Sequence, residues 1–147
     1  MKIQQLSVFV ENQPGHVKRP CRLLADAGIN ILTLSLADTQ QYGIMRMIVK
    51  DWKRAADVLS AAGCIIRTTE VVAVEVDDRP GGLADILDAV DACRLDIEYM
   101  YAFTFPSARE RAMLVFRFGD TDAAVTKLRE RGVNLVSSVE LFDGAAG

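Results

Sequence analysis

A Pro-Gly pair closes the alternating stretch "QQLSVFVENQPG", and 66 residues later Pro14-Gly15 returns as Pro80-Gly81. The same offset places Leu6, Val8 and Val10 on Val72, Val74 and Val76, Val17 on Leu83, and Asn30-Ile31 on Asp96-Ile97. After "FTFPSARERA", where the second copy is three residues longer, the offset becomes 69. Met45, Met47 and Val49 then fall on Leu114, Phe116 and Phe118, Leu59 on Leu128, and Gly63 on Gly132. A repeat that slips only where a loop belongs ties the two halves to one architecture.

Each copy runs strand, Pro-Gly corner, helix, strand, strand, helix, strand. The first strand alternates apolar and polar residues, "QQLSVFVE" or "VVAVEVD", as a half-buried strand does. Proline cannot continue a central strand ladder, so Pro14 and Pro80 end it. A helix from about Val17 to Ala27 follows, with Gly28 as its stop; in the second copy Arg94 stands where that Gly is expected. The next two strands are "INILTLSLAD" and "GIMRMIVK", or "LDIEYMYAFTF" and "RAMLVFRF". Helices over about Trp52–Ala62 and Asp120–Arg131 lead to the fourth strands, "CIIRTTE" and "VNLVSSVEL". The order βαββαβ predicts an α+β chain of two ferredoxin-like units, each an antiparallel sheet with its helices on one face. The units are set at residues 1–70 and 71–143, with 144–147 a frayed tail.

Strand parity predicts the core. Leu6, Val8, Val10, Leu32, Leu34, Leu36, Met45, Met47 and Val49 should face the helices of the first unit. Val72, Val74, Val76, Met100, Ala102, Leu114, Phe116 and Phe118 should do so in the second. The opposite face of the second sheet collects Tyr99, Tyr101, Phe103, Phe105, Met113, Val115, Val71 and Ala73. A bare patch of that size is unusual on a monomer, so a homodimer or larger assembly is expected to cover it. "SARERAM", Ser107 to Met113, reads as a solvated hairpin loop, and Trp52 as a residue at the edge of the core.

Composition removes several function classes. Of 147 residues half are apolar and a quarter charged, with a formal charge of −3. That balance gives no basic face for nucleic acid or for an anionic membrane surface. No apolar run approaches the roughly 20 residues of a membrane span, and the polar N-terminus is unlike a secretory signal. A cytoplasmic protein is expected. Cys21, Cys64 and Cys93 are widely spaced, without CxxC or a histidine at ligand spacing, so they read as small hydrophobes, with no metal and no cofactor. His16 is the one histidine. Without a nucleophile–base set, no enzyme activity is expected.

The corners are where a ligand fits best. Glycine permits close backbone approach, and a helix start presents unpaired N–H groups suited to a carboxylate. Asn12 precedes the first corner and Asn30 follows its helix. Each amide has donors and an acceptor, enough for the two together to grip a carboxylate and an ammonium. The plainer reading is that both asparagines serve turns. His16 beside Gly15 is read either as a neutral hydrogen-bonding group or as an exposed helix-start residue.

"ENQPGHVKRPCRLLADAGINI" closely resembles the signature of the ACT domain: a polar residue, Asn, Pro-Gly, an apolar residue, a helix, then Gly-apolar-Asn-Ile. "DDRPGGLADILDAVDACRLDI" is similar but has Asp78 and Asp96 in place of the asparagines. The resemblance covers nearly the whole chain, as two consecutive ACT units. It implies a regulatory protein that binds a small molecule, usually an amino acid, at an interface between units. Carried over by position, the site is Asn12, Pro14, Gly15, His16, Val17, Asn30 and Ile31. A second, weaker site is Asp78, Pro80, Gly81, Gly82, Leu83, Asp96 and Ile97, where two carboxylates would repel a ligand carboxylate unless Arg79 or a cation compensates. A partner enzyme is implied as the receiver of the signal. The alternative is the regulatory small subunit of an amino-acid biosynthetic enzyme such as acetolactate synthase, whose second half is not usually a plain second copy. A scaffold that has lost ligand binding is a further alternative for the second unit.

Overall fold

The computed structural model describes residues 1–38, 41–105 and 109–146. The first copy forms β1 (Ile3–Glu11), α1 (Lys18–Asp26), β2 (Thr33–Asp38), β3 (Tyr42–Ile48) and α2 (Trp52–Ala61). β4 (Ile65–Asp77) then runs without a break through the point where the sequence reading ends one unit and begins the next. The second copy continues with α3 (Gly82–Ala92), β5 (Ile97–Phe103), β6 (Arg111–Phe118), α4 (Thr121–Glu130), β7 (Leu135–Val136) and α5 (Ser138–Ala146). Two compact units result: Gln4–Thr69, and the chain from Glu70 onward together with Met1–Ile3. Lys2 joins the latter through ion pairs to Glu70 at 2.9 Å and Asp122 at 3.0 Å.

The repeat holds down to register. In the first unit β3 pairs antiparallel with β1 and β2, setting Leu6 opposite Met47 and Leu34 opposite the same Met47. In the second, β6 pairs with β4 and β5, setting Val72 and Met100 opposite Phe116. These are the same positions under the two offsets. Capping repeats as well. The Asp51 carboxylate accepts from Arg54 N at 3.3 Å and starts α2, and Asp120 accepts from Ala123 N at 3.0 Å and starts α4. Such caps satisfy a backbone donor that the helix leaves unpaired. At the end of α1, Gly28 adopts φ +71°, and at the matching place after α3 Arg94 takes φ +53°. The left-handed stop therefore forms in both copies, in the second at the cost of a side chain there, about 1 kcal/mol.

The core follows parity on the inner strands. Leu6, Val8, Val10, Met45, Met47 and Val49 are buried with Leu24, Ala55 and Leu59 of the two helices. Val72, Val74, Val76, Leu114, Phe116 and Phe118 are buried with Val90, Ala124 and Leu128, the rings of Phe116 and Phe118 stacked 5.3 Å apart. Trp52 and the half-buried cysteines pack at the margins of these clusters. The outer strands depart from expectation. Leu34 and Leu36 are 44% and 48% exposed, and Ala102 is exposed too. β2 and β5 each have β3 or β6 as their recorded pairing partner, while the helices' apolar residues cluster with the inner strands. Parity gives the side of a sheet, but it does not say how far the helical layer reaches.

The last strand is the larger correction. Only Leu135–Val136 pairs, with Ala73 and Val74, and the chain then turns into α5 instead of continuing as "VNLVSSVEL". The reason is a capping box in "SSVE". Glu140 N donates to Ser137 Oγ at 3.2 Å, and Ser137 N donates to Glu140 Oε2 at 2.8 Å. Residues 144–146, expected as part of a frayed tail, belong to this helix, and Gly147 lies outside the described residues. Leu141 is fully buried, and the Phe105 ring lies against Gly144. α5 thus lies over part of the sheet face that the sequence left open. Val71, Ala73, Met113 and Val115 on that face are buried within the single chain, and the tyrosines and phenylalanines are half-buried. The apolar face therefore does not by itself require a second copy. In the hairpin loop, Ser107 and Ala108 lie outside the described residues; Arg111 opens β6 and is ion-paired to Glu75 and Asp77.

The backbone N–H of Ser137, then its hydroxyl, hold the Glu140 carboxyl below its ordinary value of 4.5. A carboxylate depressed in the folded state stabilises the protein above its unfolded pKa, and that contribution fades as pH falls through the folded value. Acidification below about pH 4.5 should therefore loosen α5. Glu140→Gln, which keeps a capping acceptor but cannot ionise, should show a smaller stability loss in urea titrations from about pH 6 to pH 3.

Candidate functional site

Both corners are the same backbone object. After β1, Gln13 N donates to Glu11 O at 2.8 Å, His16 N to Gln13 O at 3.2 Å and Arg19 N to Gly15 O at 3.1 Å. After β4, Arg79 N donates to Asp77 O at 3.0 Å, Gly82 N to Arg79 O at 3.0 Å and Asp85 N to Gly81 O at 2.9 Å. Each is a turn with proline second and glycine third. Gly15 and Gly81 take φ +87° and +89°, which a β-carbon would resist, and proline presets the residue before.

The side chains then make the corners different. Gly82 packs so closely that an added Cβ would lie 2.2 Å from Asp77 O, and α3 begins there. His16 occupies the matching position of the first corner, and α1 starts only at Lys18. Arg79 straps the second corner to itself, donating to Pro80 O at 3.0 Å and Asp85 Oδ2 at 2.7 Å, with Asp77 at 3.7 Å. The Asp85 carboxylate first, and Asp77 after it, raise the Arg79 pKa above its ordinary value. Arg79 is thus already engaged by carboxylates of its own corner. Asp78 is exposed, its N–H donating to Glu110 O at 2.7 Å.

Beside the first corner lies a cleft of about 270 Å³, lined among others by Phe9, Glu11, His16, Arg19, Tyr42 and Ile65. Arg19 donates from Nη2 to Ala62 O and from Nη1 to Cys64 Sγ at 3.5 Å, which anchors the guanidinium against the turn after α2. Of the residues singled out in the sequence, His16 lines this cleft; Asn12, Pro14, Gly15 and Val17 border the corner and are exposed. Asn30 and Ile31 lie past the other end of α1, whose nine residues span about 13 Å. The two asparagines of one unit therefore do not converge. Likewise Asp96 and Ile97 lie beyond α3 from Asp78, Gly81, Gly82 and Leu83, with Ile97 paired to Phe118. Glu11, Arg19 and Tyr42 were not singled out. The signal was in the repeat, where Arg19 and Tyr42 match Asp85 and Arg111, residues of different chemistry, while Glu11 matches another carboxylate, Asp77.

A family model described as an ACT domain pair matches residues 1–143. The chain belongs to the ACT domain pair family. Protein BT0572 from Bacteroides thetaiotaomicron is 32% identical over 97% of this chain and 96% of its own, with a TM-score of 0.89. The regulatory subunits of aspartate kinase from Thermus thermophilus, in ligand-free form, and Thermus flavus are 20% and 17% identical. They align over 86% of this chain and 91% and 90% of theirs, with TM-scores of 0.59 and 0.60, a likeness of fold. No curated protein matches. Within this ACT pair no described helix is long and apolar enough to cross a membrane. No three His, Cys, Asp or Glu side chains among the described residues gather as a metal ion requires.

The two corners of the pair should tolerate substitution differently. Gly82→Ala should cost about 2 kcal/mol or more, because the new methyl meets backbone rather than a movable side chain. His16→Ala at the matching position should change stability by no more than about 0.5 kcal/mol. Urea midpoints of the two variants measure the difference.

Proposed function

We propose that this ACT pair is a non-catalytic, cytoplasmic regulatory protein that binds a free amino acid at its first corner and passes that signal to a partner enzyme. The observation that carries the reading is the contrast between two corners with one backbone. The first unit keeps a cleft beside its corner and neutral amides at Asn12, before the corner, and at Asn30, beyond α1. The second is strapped by Arg79 and has carboxylates at both matching places. Neutral amides can donate to a carboxylate and accept from an ammonium, whereas ionised Asp78 and Asp96 only accept. The Thermus neighbours support the regulatory part by analogy of fold, as subunits rather than catalytic chains.

The ligand contacts proposed are Asn12, Pro14, Gly15, His16 and Val17, with Asn30 and Ile31 from a second copy. α1 separates Asn12 from Asn30, so one ligand touching both would need two copies, and the reading therefore includes a homodimer. Asn12→Ala or Asn30→Ala should remove a hydrogen bond to a charged group, about 1.5–3 kcal/mol or roughly ten- to a hundredfold in affinity. Asp78→Ala and Asp96→Ala should leave affinity nearly unchanged. Calorimetry on the four variants decides the site, and a reversed pattern puts it at the second corner. Sedimentation with and without ligand checks the dimer, which a monomer in the bound state would refute.

A further inference from the structure

The place beside the first corner has a counterpart in the second unit, and the two are filled in opposite ways. Under the offsets of 66 and 69, Phe9, Glu11, Arg19, Tyr42 and Ile65 correspond to Glu75, Asp77, Asp85, Arg111 and Asn134. In the second unit Glu75, Asp77, Arg111 and Asn134 are linked to one another and Asp85 is held by Arg79, while Glu75 and Asn134 also border a separate cavity of about 210 Å³ beside α5. Arg111 reaches Glu75 and, at 2.6 Å, Asp77; Asn134 donates to Glu75 at 3.3 Å; Arg79 holds Asp85 at 2.7 Å. In the first unit the same positions leave a cleft of about 270 Å³. Phe9, Tyr42 and Ile65 border it and are 37%, 56% and 70% exposed. Cross-strand pairing makes the correspondence direct: Glu11 faces Tyr42 as Asp77 faces Arg111.

We propose that the cleft beside the first corner selects amino acids with a large apolar side chain, and that the matching place in the second unit is filled by the protein's own ion pairs and takes none. The inference rests on the reading that the first corner binds an amino acid, and it adds which kind. Phe9, Ile65 and the ring of Tyr42, partly in water, gain by covering an apolar group, whereas a charged ligand side chain would lose hydration against Phe9 and Ile65 once Glu11 and Arg19 are taken up by the ligand's own ammonium and carboxylate. Glu11 and Arg19 line the same cleft with opposite charges, which complements an ammonium and a carboxylate. Arg19 keeps N–H donors beyond those given to Ala62 O and Cys64 Sγ. The volume lies a little under the roughly 300–1,000 Å³ of drug-sized sites, which suits a ligand no larger than an amino acid. In the second unit a zwitterion would have to break charge-assisted hydrogen bonds before making its own.

The test builds the second unit's filling into the first. The purified 147-residue chain is screened by thermal shift against the common amino acids, and binding is quantified by calorimetry. The same is done for the double variant Phe9→Glu/Tyr42→Arg, which copies Glu75 and Arg111, and for the milder Ile65→Asn, which copies Asn134. Circular dichroism checks folding; if the double variant does not fold, Ile65→Asn decides. L-leucine, L-isoleucine or L-phenylalanine should bind the parent chain, with affinity falling about tenfold or more in the double variant and less in Ile65→Asn. Binding confined to charged or polar amino acids such as L-aspartate or L-lysine overturns this inference and leaves the amino-acid reading standing. Unchanged affinity in folded variants overturns it as well. No response to any amino acid overturns both.

Discussion

The hydrogen bond from His16 N to Gln13 O, and its twin from Gly82 N to Arg79 O, decide how everything after the first strand of each unit is placed. Each closes a turn that needs proline second and a left-handed glycine third, and no other pairing of residue types meets both demands so readily. With the turn closed, the helix lies back across the sheet, and Leu24 or Val90 reaches the strand residues that parity points at it. Open the turn and the helix loses its direction. The long-range cores of both units depend on a four-residue feature that is purely local.

Much of this was legible in the sequence because a duplicated chain supplies its own control. Most elements are read twice, and agreement between Pro14-Gly15 and Pro80-Gly81, or between Gly63 and Gly132, argues against chance patterning. Arg94 reads in the sequence as a departure from the stopping glycine of the first copy, yet it takes φ +53° and the left-handed stop forms there too. The misses have physical reasons too. "VNLVSSVEL" alternates well enough to pass for a strand, but the reciprocal Ser137–Glu140 hydrogen bonds start a helix, and that competition is settled locally. Leu34 and Leu36 have strand periodicity on the correct face, and only the reach of the helical layer leaves them exposed.

The candidate site was legible in a narrower sense. Motif and repeat pointed to the corners, and His16 does line a cleft. They could not say that α1 holds Asn12 and Asn30 apart, since that is a matter of helix length rather than residue type. Nor does periodicity mark Phe9, Glu11 and Tyr42, which share a cleft with Arg19 because β1 pairs with β3. Side chains that face each other across a ladder are neighbours only once the register is known.

The corners are fastened by main-chain groups, and that has an evolutionary consequence. Once Pro-Gly is kept, the hydrogen bonds that shape the turn ask little of Asn12, Gln13 or Arg19, nor of Asp78, Arg79 or Asp85. Mutation can rewrite the polar surroundings of one corner without disturbing the other or unravelling either. Duplication in such a chain creates two independently heritable addresses on a shared frame. One can be silenced by charge while its twin stays open to selection.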